Sequence, residues 1–322
     1  MSGDDAITGD PLTRRHWLGL AAGAAIGVAG FGVAMRAAAG HDRTFAPGDP
    51  SAIGVAALRA GPEIRVGFIA TGRASGPARR LVQGERGPLD AVFRVAVIDH
   101  PTGGRLLFST GVAPDTVPGA LRRVSNPFGR VRDVAPLAAD VAADARLAVL
   151  PSLRWHHVGG VPNLPSTTRV LATYGEQWVG LRGPMPHRYA VDRGRLAGIE
   201  DRIDDVPWGR RMLMGRDKSV DVFDDGSVWL FSLKGASYDE VAVLVALASG
   251  RTLALVADTV FTRSQVTALR PASPMLGWTY QRNRMQLLAS QRRLHHADAA
   301  GIEVVPLLDG GMDLPGLDEP WA

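Results

Sequence analysis

Cysteine is absent from the 322 residues. That excludes disulfides, thiolate metal ligands, a cysteine nucleophile and a lipid-modified cysteine anchor. It is compatible with an oxidising compartment. Lysine is nearly absent, Lys218 and Lys234 being the only ones among 36 basic residues. Charge of either sign in excess is missing too. The net charge is +4, and no basic stripe is interleaved with the aromatics, which make up 6% of the chain. A nucleic-acid partner is therefore rejected. There is no short-period repeat. What is present is 46% hydrophobic and 21% charged residues, enough to fill the core of one large globular domain or two small ones.

The N-terminus carries Thr13-Arg14-Arg15-His16-Trp17-Leu18, an apolar Gly/Ala-rich run from Trp17 to Met35, then Arg36 and Ala37-Ala38-Ala39. The first stretch resembles the twin-arginine export motif, with Trp17 in the place of its usual Phe. The small residues after Arg36 suit a signal peptidase. The run is also just long enough to be an uncleaved membrane anchor. Cleavage is favoured, because Gly and Ala contribute little to insertion. The expectation is a signal or anchor over 1–40, a Gly/Pro/Ala-rich linker over 41–62, and one domain over 63–322. The body is expected to be exported to the periplasm or another extracytoplasmic space, touching a membrane only through the N-terminal segment.

Within the body, Glu63 to Ala70 alternates as a half-buried strand. Gly72 to Pro88, rich in Gly and Arg, predicts a surface loop. Ala91–Ile98 and Arg105–Phe108 predict a hairpin around Pro101-Thr102-Gly103-Gly104. Helical spacing over Asp133–Asp144 precedes the apolar strand Arg146–Leu150, and another strand follows at Arg169–Ala172. A helix is predicted from Thr173, with Glu176 placed for a capping box. From Gly180 to Trp208 periodicity is weak. Further strands are predicted at Val220–Phe223, Ser227–Leu233, Val241–Leu247, Thr252–Ala257 and Ile302–Pro306, and an amphipathic helix at Arg282–Ala300. Strands apolar on both faces suit a layered sandwich in which each sheet meets the other on one side and helices on the other.

Ser152-Leu153-Arg154-Trp155-His156-His157-Val158-Gly159-Gly160 follows the 146–150 strand, where a site is commonly built. It resembles the HxHxDHxGG signature of the metallo-β-lactamase superfamily, whose lactonase and glyoxalase II-like hydrolases bind two metals. Three further segments carry the resemblance: Ser232-Leu233-Lys234-Gly235-Ala236, Leu255-Val256-Ala257-Asp258-Thr259, and Val304-Val305-Pro306-Leu307-Leu308-Asp309. It implies an α+β fold, the four-layered αββα sandwich. It also implies that the ligands of the first metal have become Ser152, Arg154 and Ala236. Of the second set, His156, His157 and Asp258 are still able to coordinate, whereas Leu308 replaces a ligand His. Ser109, in Ser109-Thr110-Gly111, stands for an Asp.

A hydroxyl, a guanidinium and a methyl group do not hold a divalent ion, whereas two His and a carboxylate make a valid zinc triad. Two expectations follow. One is a pseudoenzyme without metal that binds a small-molecule ligand or a partner through the old cleft, with Arg154 pairing with Asp258 or holding an anion. The other is a hydrolase of lactones, thioesters or similar acyl compounds. It would use one zinc on His156, His157 and Asp258, with Arg154 at the oxyanion and Asp258 in the catalytic set. A third possibility is that Asp309, Asp239 or Glu240 swings in as a ligand for a harder metal. His187, His295 and His296 belong to no motif. The adjacent pair is expected to cap its helix or face solvent.

Overall fold

The computed structural model describes residues 58, 63–117, 126–183, 190–191, 193–211, 213–214, 218–276 and 280–314, and structural statements concern these. The chain divides into units 1–46 and 47–322, and every described residue belongs to the second. The twin-arginine stretch, the apolar run, His187 and the linker apart from Leu58 lie outside the described residues.

A seven-stranded mixed sheet comprises β1 (Arg65–Pro77), β2 (Pro88–His100), β3 (Gly104–Phe108), β4 (Arg130–Arg132), β5 (Ala145–Val149), β6 (Arg169–Ala172) and β7 (Ile203–Asp205). Its order is β4-β1-β2-β3-β5-β6-β7. The second sheet comprises β8 (Ser219–Asp221), β9 (Val228–Leu233), β10 (Glu240–Ala246), β11 (Thr252–Val256) and β12 (Ile302–Pro306), in the order β12-β11-β10-β9-β8. The predicted hairpins and closing strand are all present.

Period-2 alternation decides the layering. Ala96, Ile98, Leu106, Phe108 and Val149 of the first sheet share one apolar cluster with Val228, Leu230, Val241, Val243 and Leu255 of the second. Their neighbours point outward. Val95, Val97, Leu107 and Ala148 pack with Val141 and Ala142 of helix α1 (Ala139–Ala143). Trp229, Phe231, Ala242 and Val304 pack with Val266 of α4 and Leu294 and Ala297 of α5. These helices span Arg263–Thr267 and Arg284–Ala299; the short α2 and α3 span Tyr174–Gln177 and Arg193–Leu196. Both faces of the central strands are thus buried, which is why β9 and β10 read as apolar throughout. Among the described residues no helix is long and apolar enough to cross a membrane.

Two expectations are corrected. Gly72–Pro77 is strand, not loop: β1 runs to Pro77 and pairs with β2 in register to Pro77↔Pro88. Its glycines mark close approach rather than a turn. A bulge lies between Ala70 and Gly72, and a Cβ on Gly76 would sit 2.5 Å from the Phe128 carbonyl oxygen, a usual reason for strand glycine. The helical spacing from Asp133 yields helix only from Ala139, because Pro136 disfavours the α region before it. The helix expected over Arg282–Ala300 spans Arg284–Ala299, with the Asn283 side chain accepting from Gln286 N at 3.1 Å as N-cap. In the 180–208 stretch a π turn (Trp178–Arg182) leads to α3 and β7.

Candidate functional site

The residues after β5 are held by backbone bonds to the turn after β3. Gly159 N donates to Gly111 O at 2.8 Å, Gly160 N to Thr110 O at 3.0 Å, and Thr110 N to His157 O at 2.9 Å. On the far side Trp155 N donates to Ala190 O. A Cβ on Gly159 would lie 2.4 Å from Ala113 N and 2.5 Å from Val112 C, so the glycine pair is a packing requirement of this junction.

Around the loop sit Ser152, Arg154, His156, His157 and Asp258, each no more than 1% exposed, with Tyr280 beside them. Asp258, from the loop after β11, is the hub. Its Oδ2 accepts from Ser152 Oγ at 3.1 Å and contacts Arg154 Nη1 at 2.7 Å and His157 Nε2 at 3.3 Å. Its Oδ1 meets His156 Nε2 at 2.9 Å and accepts from the Tyr280 hydroxyl at 3.3 Å. Arg154 Nη2 donates to Ala236 O at 2.6 Å and to Tyr280 O, and the guanidinium lies 3.8 Å over the Tyr280 ring. His157 Nδ1 is 3.0 Å from Ser109 Oγ, which also accepts from Gly111 N. Ser109 has φ +69, a left-handed conformation costly for a non-glycine residue. The sheet end thus holds the hydroxyl under the imidazole despite that cost.

Burial by itself would raise the Asp258 pKa, but Arg154, then His156 and His157, hold it well below the carboxylate range. Burial disfavours charge on Arg154 as well; the Asp258 carboxylate outweighs that and keeps the guanidinium protonated. Burial and the neighbouring His157 push His156 down to about 4, so it is neutral near pH 7. Glu240 lies within the same electrostatic field. Its Oε1 accepts from Ala257 N and Thr259 N, and burial followed by Asp258 pushes its carboxyl up.

These shifts make a pH prediction. Unfolded, a histidine gains its proton near pH 6.5; folded, His156 resists it down to about pH 4. Stability is therefore lost as the pH falls through that window, by about 3 kcal/mol. Glu240 acts with opposite sign: a raised folded pKa costs stability as the pH rises above its unfolded value. The His156→Asn variant isolates the histidine. In urea unfolding, wild type minus variant should fall by about 3 kcal/mol from pH 7 to pH 4. An unchanged difference would show that residue 156 is not held neutral.

The structure brings together Ser152, Arg154, Ala236, His156, His157 and Asp258. Leu308 joins Phe93, Phe128, Trp155, Ala236 and Tyr280 in one apolar cluster. The third expectation is not met, since its carboxylates bond elsewhere. Asp309 accepts from Arg263 N and Gly311 N, Asp239 pairs with Lys218 at 2.8 Å and accepts from Ser232, and Glu240 takes the two amides above. His295 is half-buried, and its Nδ1 lies 2.7 Å from Val266 O, tying α5 to α4. Thr173 caps α2 by accepting from Glu176 N. Glu176 does not reciprocate as a capping box would. Its carboxylate instead accepts from Leu153 N, Tyr238 N and Asp239 N, bracing the site's floor. Sequence reasoning missed Tyr280, for which no motif exists. It also missed Glu176 as a brace; the signal was a Glu on a buried helix face.

Can these residues hold metal? The residues standing for the first metal's ligands do not fit an ion, since Arg154 is itself a cation bonded to Asp258 and two carbonyls, and Ala236 offers only a carbonyl that Arg154 already takes. At the second, His156, His157 and Asp258 each offer one donor atom within 4.8 Å of the others, and His157 Nε2 has no aligned hydrogen-bond partner. Yet Asp258 already accepts from Ser152, His156 and Tyr280, and a divalent ion there would adjoin a permanent guanidinium. The set fits its own arginine better than a metal.

No protein-family model and no curated protein matches the sequence. Solved structures do match by fold. A probable metal-dependent hydrolase from Staphylococcus aureus superposes with TM-score 0.61 at 11% identity, over 78% of this chain and 91% of that one. The AiiA protein of B. thuringiensis, solved with N-decanoyl-L-homoserine at its active site, gives 0.58 at 14% identity over 76% and 93%. AidC, a dizinc quorum-quenching lactonase, gives 0.54 at 9% over 82% and 97%. With two facing sheets clad by helices and these neighbours, the chain folds as an α+β sandwich of the metallo-β-lactamase type.

Proposed function

We propose that this is a hydrolase-fold protein that works without a metal centre, binding a small-molecule ligand or a protein partner rather than turning over a metal-activated substrate. One observation carries the reading: the Arg154 guanidinium, 2.7 Å from Asp258 and bonded to two carbonyls, supplies internally the positive charge that a first metal would bring. Five side chains crowd Asp258, three of them by hydrogen bonds, so a metal would have to displace partners already in place. Solved neighbours are, by their own descriptions, a quorum-quenching N-acyl homoserine lactone lactonase, a dizinc quorum-quenching lactonase and a probable metal-dependent hydrolase; this chain keeps their fold, and the proposal is that it has exchanged their chemistry.

A second reading is favoured by the donor triad His156, His157 and Asp258: hydrolysis of a lactone, thioester or similar acyl compound with one zinc at that position. Incubation with acyl-homoserine lactones, simple thioesters and nitrocefin, with and without added zinc, separates the two. The first reading expects no turnover above buffer in either condition. Zinc-dependent hydrolysis, abolished in an Asp258→Ala variant that circular dichroism shows to be folded, would establish the second.

A further inference from the structure

The turn between β1 and β2 and the segment from α4 to the start of α5 form one end of the molecule. Gln83 N donates to Pro271 O, Ser273 N donates to Leu81 O, Val82 pairs with Ala272 in an isolated bridge, and Arg284 donates to Ala272 O. This end displays apolar side chains in the open: Met275 is 63% exposed, Met285 42% and Leu269 39%. They are three of the five large hydrophobic residues exposed among those described. Leu269 also holds φ +47.

Beside them the turn carries Arg79, Arg80 and Arg86, all exposed and with no ion-pair partner among the described residues. The one carboxylate in the turn, Glu85, is taken by Arg270 at 2.8 Å and by Ser264. On the adjoining strands Arg73 and Arg132 face each other across β1 and β4 and share Asp90 at 3.4 and 3.3 Å.

Exposed apolar side chains on the same end as guanidiniums without an ion-pair partner match the lipid-water boundary in both its chemistries. Methionine and leucine enter at headgroup depth and arginine meets phosphate. We infer that this end of the protein docks peripherally on an anionic phospholipid surface, with Met275 and Leu269 entering and Arg79, Arg80 and Arg86 on the headgroups. A soluble polyanion would use the arginines and leave the apolar residues without a role. An N-terminal apolar run such as Trp17–Met35 would bring the chain to a membrane, but it would partition without regard to lipid charge.

The lack of cysteine supplies the test. Met275→Cys in the full chain gives a single thiol for an environment-sensitive nitrobenzoxadiazole label. Phosphatidylglycerol vesicles should raise and blue-shift its emission, and phosphatidylcholine vesicles should not. The same label on Thr102→Cys, at the other end of β2, should not respond to either. Adding Arg79→Ser, Arg80→Ser and Arg86→Ser should weaken docking of the labelled end on phosphatidylglycerol about a hundredfold, read as loss of the label's emission change, with circular dichroism and Tm unchanged because all three are exposed. An unresponsive label at 275, an equal response at 102, or partition that ignores the arginines would overturn the inference. So would a response to heparin or DNA in the absence of vesicles.

Discussion

Arg154→Ala is expected to cost about 3–5 kcal/mol of folding free energy, enough to unfold a protein of ordinary stability. Asp258 is fully buried, and its charge is tolerated chiefly because the guanidinium neutralises it. Removing the cation strands that charge and also leaves the Ala236 and Tyr280 carbonyls without their donor. Arg154→Lys should be nearly as damaging, because one ammonium cannot reach Asp258 and two carbonyls in the fork geometry and also lie flat on the Tyr280 ring. Arg154→Met with Asp258→Asn should recover part of the loss, since a buried ion pair replaced as a whole is far less costly than a broken one. Guanidinium-free denaturation in urea, read by tryptophan fluorescence, checks the series. Arg154→Ala at wild-type stability would mean that the guanidinium is not what keeps Asp258 ionised.

Gly159→Ala should destabilise by about 3 kcal/mol or more, among the largest effects of adding a single carbon. The new methyl would meet backbone atoms of Val112 and Ala113 inside van der Waals distance, and backbone cannot rotate away as a side chain can. The loop would have to lift from the β3 turn, breaking the Gly159–Gly111 and Gly160–Thr110 bonds that carry His156 and His157 to Asp258. Gly198→Ala is the matched control for the space argument, because its Cβ would meet nothing within 4 Å; its positive φ leaves a smaller cost of roughly 1 kcal/mol. Thermal unfolding of the two variants should separate them clearly. Equal shifts would show that contact with the Val112 and Ala113 backbone is not what makes Gly159→Ala costly.

These two positions show what was legible in the sequence. The Gly159-Gly160 pair and the 146–150 apolar run located the site because close backbone packing and a doubly buried strand each leave a residue-type signature. The strands of both sheets were readable for the same reason, as in Val241 to Leu247. Gly72–Pro77 was misread, since small residues that let Phe128 approach look the same in sequence as residues that let a chain turn. The meeting of Arg154 with Asp258 followed from matched motifs. The third corner did not: Tyr280 reaches the carboxylate from a segment with no motif, and its contact depends on tertiary placement alone. Glu176 carried a correct local signal, the start of a helix, while its side chain served a distant one, three amides of two other loops.

Whether an arginine has taken over from metal is decided by elemental analysis of the full chain, purified without chelator from zinc-supplemented cells, together with its Tm before and after dipicolinate. The expected result is well below one zinc, iron or manganese per chain and a Tm that the chelator does not move. One equivalent of metal that is lost in Asp258→Ala, with a chelator-induced fall in Tm, would contradict it and identify His156, His157 and Asp258 as a working ligand set.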